Sequence, residues 1–171
     1  MKTQRKKGFT LIELLIVIGI IAVLMAIAIV AINPGKQFAK ANNAKRWGDV
    51  SAIVDAASIR IIERKADWNT GDPTCPDLPV VGATLGCDVG EPCLIKDACG
   101  VGETCYDLCD CIVDEYLGSM PTDPTAAGTG WTDCDGYATG YTFSITAGGR
   151  ITIAATAQDE GGTTPDIRVT R

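Results

Sequence analysis

The chain has 171 residues, 15 Lys and Arg against 21 Asp and Glu, a formal net charge of −6, eight cysteines, 19 glycines and no histidine. That length suits one domain with an appendage. The absence of histidine excludes Ser-His-Asp, Cys-His and zincin-type chemistry, so an enzyme is not expected.

The hydrophobic residues, 46% of the chain, are unevenly placed. Lys2, Arg5, Lys6 and Lys7 precede an apolar run from Phe9 to Ile32 whose only charge is Glu13. At about 1.5 Å per residue, a helix over that run is roughly 36 Å long, enough to cross a hydrocarbon core of about 30 Å. The basic flank predicts a cytoplasmic N-terminus and an outward-facing remainder. A cleaved secretory signal is the competing reading, with Ala26-Ile27-Ala28 as its small-x-small site. Its weaknesses are a run longer than the apolar core of such signals and the apolar Ile29 to Ile32 that cleavage would leave behind.

Asn33-Pro34-Gly35 predicts a kink or joint. Beyond it, Trp47, Val50, Val54, Ala57 and Ile61 recur at spacings of three and four, the stripe of an amphipathic helix. The first third therefore reads as one long, jointed helix. Its basic residues, Lys36, Lys40, Lys45, Arg46, Arg60, Arg64 and Lys65, are expected to face phospholipid headgroups or acidic faces of neighbouring subunits. Nucleic acid is not expected as a partner, because residues 66–171 carry a net charge of −13 and would repel it.

Glu13 is the unusual residue of the apolar run. An unpaired carboxylate at that depth costs about 2.5–3.5 kcal/mol on insertion scales. No basic residue lies within one turn of it, so its partner is expected from another chain or from a new α-amino group at Phe9, created by cleavage after Gly8.

Met1-Lys-Thr-Gln-Arg-Lys-Lys-Gly8, followed by Phe9-Thr-Leu-Ile-Glu13 and an apolar helix, resembles the prepilin signal of type IV pilins and type II secretion pseudopilins. The resemblance implies removal of residues 1–8 by a membrane prepilin peptidase and N-methylation of Phe9. It also implies that Glu13 meets the amino terminus of an adjacent subunit during assembly. One departure is that many members of the family kink the membrane helix with an internal proline, whereas the first proline here is Pro34.

All eight cysteines follow the helix: Cys75, Cys87, Cys93, Cys99, Cys105, Cys109, Cys111 and Cys134. Their even number, outside the membrane, predicts a disulfide framework, and eight cysteines permit 105 pairings, so spacing leaves the connectivity open. A thiolate metal site is disfavoured by the absence of any Cys-x-x-Cys pair. Cys87-Asp-Val-Gly-Glu-Pro-Cys93 recurs as Cys99-Gly-Val-Gly-Glu-Thr-Cys105, read as a duplicated, stapled loop. Cys105 to Leu117 is apolar enough for a short helix.

From Met120 the texture is β-like. Met120-Pro-Thr-Asp-Pro124 marks a turn and Gly128 to Gly136 a loop. Tyr137–Ile145 and Arg150–Ala157 read as strands joined by Ala147-Gly148-Gly149, with a last strand near Ile167 to Thr170. The Pro-x-Asp-Pro turn before Tyr-rich strands, with Asp159-Glu160 after them, also resembles the C-terminal part of pilins and pseudopilins. Asp133 and Asp135 are weak calcium candidates, since the fuller oxygen set of an EF-hand loop is missing.

The expected fold is α+β and pilin-like: a long N-terminal α-helix packed on a small antiparallel β-sheet, with a disulfide-rich loop region. The expected organisation is a leader (1–8), a transmembrane or filament-core helix (9–33), an amphipathic helix (34–65) and a soluble head (66–171). Within the head lie a Cys-rich insertion (75–111) and a C-terminal β region (120–171). The expected role is a structural subunit of a type IV pilus-like filament serving adhesion, motility or DNA uptake. It would sit in the bacterial inner membrane before assembly, with itself, the prepilin peptidase and the assembly machinery as partners. The alternatives are a type II secretion pseudopilin and a membrane-anchored disulfide-rich binding module.

Overall fold

The structure is a computed structural model and describes residues 8–64, 68, 75, 93–98, 104–146, 148–156 and 167–171. The chain forms two compact units, Met1–Phe38 and Ala39–Arg171. Residues 1–7 of the leader, Lys65, residues 87–92 and 99–103 of the repeat, Ala147 of the hairpin turn, Ala157 and Asp159-Glu160 lie outside the described residues.

Helix α1 spans Leu11–Ile32 and helix α2 spans Pro34–Glu63. Between them Asn33 adopts φ 47° and ψ 77°, a left-handed conformation that asparagine tolerates better than most residues. Proline is well suited to open α2, because its missing N–H and fixed φ match the first helical position. The Asn33 carbonyl and side-chain oxygen both accept from the Lys36 N–H, at 3.1 and 3.5 Å. The joint is thus a single residue, with Gly35 already inside α2.

The strands are β1 (Cys93–Lys96), β2 (Cys105–Tyr106), β3 (Gly130–Trp131), β4 (Tyr137–Ile145), β5 (Ile151–Ala155) and β6 (Arg168–Thr170), with the short helix α3 (Cys109–Ile112) between β2 and β3. They form one sheet in the order β2-β1-β4-β5-β6, with β3 also paired to β4. All the β4 pairings are antiparallel, but β1 and β2 run parallel, with Leu94 opposite Cys105 and Ile95 opposite Tyr106. The sheet is therefore mixed rather than antiparallel. The two repeat copies, which end at Cys93 and Cys105, deliver adjacent strands in the same sense. The expected helix over Cys105–Leu117 shrinks to α3, because Cys105 and Tyr106 are taken by the sheet. At the other end Val113 turns extended and Asp114 takes a positive φ of 70°.

Alternation sets the core. Tyr137, Thr139, Tyr141, Phe143 and Ile145 of β4 are buried, as are Ile151, Ile153 and Ala155 of β5 and Cys93 and Ile95 of β1. Tyr106 stacks on Phe143 at 4.8 Å between ring centroids. Val50, Ile53, Val54, Ala56 and Ala57 of α2 join the same cluster, each large aliphatic contributing about 1.5–3 kcal/mol when fully buried. Trp47, expected in the stripe, is 41% exposed and Ile61 only partly buried. The buried face instead includes Arg46 and Arg60, whose charges find partners inside the head.

Arg46 defines how α2 meets the sheet. Its Nε donates to Asp123 Oδ2 at 2.7 Å and its Nη2 to Asp123 Oδ1 at 3.0 Å, while Nη1 donates to Asn43 and Nη2 also to Thr125 Oγ1. Both ionic side chains are fully removed from water. Asp123 precedes Pro124, which disfavours helical backbone at Asp123. Its carboxylate accepts from the Thr125 and Ala126 amides at 2.8 and 2.9 Å. Burial pushes the Asp123 carboxyl up, but the Arg46 and amide hydrogen bonds outweigh it and hold it below the ordinary carboxylate value. Beside this pair, Lys45 reaches Asp49 and the Thr122 carbonyl, and the Tyr141 hydroxyl donates to Asp49 at 2.7 Å.

Gly140 lets the Asp123 loop sit on the sheet. It has φ +77°, and a Cβ there would lie 2.7 Å from Thr129 Cγ2 and 3.0 Å from Asp123 Cβ. The β1–β4 register slips at this point: Leu94 faces Thr142, yet Lys96 faces Ala138, as in a bulge. Gly140→Ala should therefore lower head stability by about 1–3 kcal/mol or more, combining left-handed strain with the clash. Urea unfolding of the detergent-solubilised chain, followed by tryptophan fluorescence, measures it, and an unchanged midpoint would refute the tight-approach reading.

Asp123→Asn should be more damaging, about 3–5 kcal/mol, because it leaves the Arg46 charge buried without its counter-ion. The sign with pH follows from the depressed Asp123 pKa. Its stabilisation is complete above the ordinary carboxylate value and is lost as pH falls below about 4 toward the folded-state value. The variant should show a flatter acid limb of stability than the parent.

Candidate processing and assembly segment

Thr10 caps α1. Its backbone is extended (φ −86°, ψ 150°), and its hydroxyl accepts from the Glu13 N–H at 3.3 Å. Glu13 Oε2 in return accepts from the Thr10 N–H at 2.9 Å and from the Thr10 hydroxyl at 2.7 Å. This capping box satisfies helix N-terminal donors reciprocally. Glu13 therefore has intrachain hydrogen-bond partners beside the countercharge expected from another chain or from a Phe9 amine. The expectation weighed only basic residues, whereas the Thr-x-x-Glu spacing is itself a capping signature. The carboxylate is held on the amide one residue along from the Phe9 nitrogen, the atom that cleavage after Gly8 would turn into an amine.

None of the residues of α1 is buried, and Phe9 is 82% exposed. Leu11–Ile32 is long and apolar enough to cross a membrane by length and composition. So large an exposed apolar surface marks a region that lipid or protein covers.

Of the basic residues expected to meet headgroups or neighbouring subunits, Arg46, Arg60 and Arg64 turn to the head instead. Arg46 is buried against Asp123. Arg60 is buried too, with its Nε donating to the Trp68 carbonyl at 3.0 Å, its Nη1 to the Cys111 carbonyl, and its guanidinium 5.5 Å from the Trp68 ring centroid. Arg64 bridges to Glu115 at 3.2 Å. These charges face acidic groups and carbonyls of the head because those are the partners the fold brings within reach. Lys36 and Lys40 remain exposed.

In the head, Cys75 is bonded to Cys111 and Cys109 to Cys134, with Cα separations of 4.9 and 5.4 Å. Cys93 and Cys105 are disulfide-bonded as well, and no free cysteine occurs among the described residues. Cys87 and Cys99 lie outside the described residues. Helix α3, which carries two of the bonded cysteines, is fixed by groups that spacing alone did not single out. The Tyr137 hydroxyl accepts from the Leu108 and Cys109 amides at 2.9 and 3.2 Å and donates to Asp107 at 2.8 Å. Burial pushes the Asp107 carboxyl above its ordinary value, against the Tyr137 hydrogen bond. Burial and the neighbouring Asp107 charge push the Tyr137 hydroxyl up.

Asp133 and Asp135 are exposed in a turn closed by Thr132 N–H to Gly136 O at 3.1 Å. Among the described residues no three acidic or thiol side chains gather as a metal-holding group.

Residues 3–29 match the family model described as the prokaryotic N-terminal methylation motif, which is the type IV pilin signal. No curated protein and no solved structure matches the chain. The motif supports a type IV pilin- or pseudopilin-like precursor, and the long apolar helix followed in sequence by a mixed sheet is an α+β, pilin-like arrangement.

Proposed function

We propose that this pilin-like precursor is cut between Gly8 and Phe9 by a prepilin peptidase, methylated on the Phe9 amine and polymerised into a type IV pilus-like filament. The observation that carries the reading is the coincidence of the methylation motif over residues 3–29 with an apolar helix, Leu11–Ile32, none of whose residues is buried. Before assembly the lipid of the bacterial inner membrane covers that helix. In the filament the helices of other copies replace it.

Glu13 supplies register in this scheme. In lipid or in a filament its carboxylate is cut off from water, and the capping box supplies donors from Thr10. The ammonium of Phe9 on an adjacent subunit adds the countercharge, and in a low-dielectric interior that attraction far exceeds its value in water. A subunit out of register leaves the carboxylate with only its own cap, so correct stacking is favoured over slipped stacking. The head, with its net negative charge, forms the outer surface.

Purified surface filaments should contain a subunit whose first residue is N-methylated Phe9. A subunit beginning at Met1 or after Ala28 would sink the proposal. Glu13→Ala should be cut normally but yield at least tenfold less filament, read by comparing sheared filaments with the membrane pool on immunoblots. Normal filament yield would remove Glu13 from the assembly role.

A further inference from the structure

The two disulfides on α3 interleave. Cys75–Cys111 closes over Cys109, and Cys109–Cys134 closes over Cys111. The first link also passes over Cys87, Cys93, Cys99 and Cys105. The alternative pairing, Cys75–Cys109 with Cys111–Cys134, uses the same four thiols without interleaving. It shortens each loop by two residues only, and because loop-closure entropy follows the logarithm of loop length, chain statistics barely separate the two isomers.

What separates them is helix α3. Residues two apart on a helix do not share a face, so once Cys109–Ile112 is helical, Cys109 and Cys111 project on different sides. That helix is held by Tyr137 and Asp107, and Tyr137 lies in β4. The discriminating element is therefore complete only after residues C-terminal to Cys134 have joined the sheet. A head that enters an oxidising compartment in chain order behind a cytoplasmic N-terminus presents all four thiols before that. Afterwards the native links are shielded: Cys75, Cys109 and Cys111 are 4% exposed or less, and Cys134 is partly buried.

We infer that maturation of this head requires a thiol–disulfide isomerase of the oxidising compartment, acting on the two α3 links. The inference rests on the proposed export of the head. The exchange is redox-neutral. The catalyst's thiolate attacks Cys109 Sγ of a Cys75–Cys109 bond, forming a mixed disulfide and releasing the Cys75 thiolate. That thiolate attacks Cys111 Sγ of the Cys111–Cys134 bond and releases the Cys134 thiolate. Cys134 then attacks the mixed disulfide at Cys109 and releases the catalyst's thiolate. Two protein disulfides exist before and after, so no net oxidant is consumed.

The test is to produce the full chain in bacterial cells with an oxidising periplasm, with and without their periplasmic disulfide isomerase, and to map disulfides without reduction. Cleavage on the N-terminal side of Asp110 separates Cys109 from Cys111. With the isomerase, peptides linking Cys75 to Cys111 and Cys109 to Cys134 should dominate. Without it they should fall at least fivefold in favour of Cys75–Cys109 and Cys111–Cys134, and restoring the isomerase should reverse the change. Native links at equal yield in both strains would overturn the isomerase requirement and leave the filament proposal intact. Free thiols in both strains would overturn the export reading and this inference with it.

Discussion

The guanidinium of Arg46 and the carboxylate of Asp123 are both withdrawn from water, and the head is organised around keeping them together. An ion pair in that position is not a large source of net stability, because the desolvation of two charges offsets most of their attraction. Its force is negative: any arrangement that separates the two leaves a buried charge without its partner. That fixes the azimuth of α2, since Arg46 must face inward, and so carries Val50, Ile53, Val54 and Ala57 into the core and leaves Trp47 at the edge. It also fixes the loop after Pro121, whose amides at Thr125 and Ala126 complete the Asp123 shell. The loop in turn can lie on β4 only because Gly140 has no side chain and accepts a left-handed backbone.

Two polar devices act alike, one in each of the two units. At the start of α1, Glu13 folds onto Thr10 and satisfies donors that the apolar helix cannot satisfy elsewhere. At the start of α3, Tyr137 and Asp107 do the same for a helix too short to hold itself. In both places a helix terminus is made specific by side chains around it. In the proposed assembly and maturation, that specificity serves intersubunit register in one case and the choice between near-equivalent disulfides in the other.

Much of this architecture was legible in the sequence. β4 falls on Tyr137–Ile145 as alternation suggested, and β5 and β6 fall within a residue or two of their expected spans, because one face of each strand must be apolar to be buried. The methylation motif was legible as well, because a basic flank, Gly8-Phe9 and Glu13 in an apolar run form a local linear pattern. Less legible were the parallel β1–β2 pair, the short α3 and the inward arginines. A two-residue strand has too few positions to show a period. An arginine is expected outside unless one knows what stands opposite it, and here the partner lies 77 positions along the chain.

Residue order alone determined the features whose cause is local or one-dimensional: an apolar length that matches a bilayer, a capping spacing at Thr10 and Glu13, and a break at Asn33-Pro34. The tertiary structure decided everything that needs two distant segments at once. It set which of eight cysteines meet, which cations are buried and which strand neighbours which. Pairing over distance depends on the relative positions of elements in space, and composition and periodicity carry no information about that.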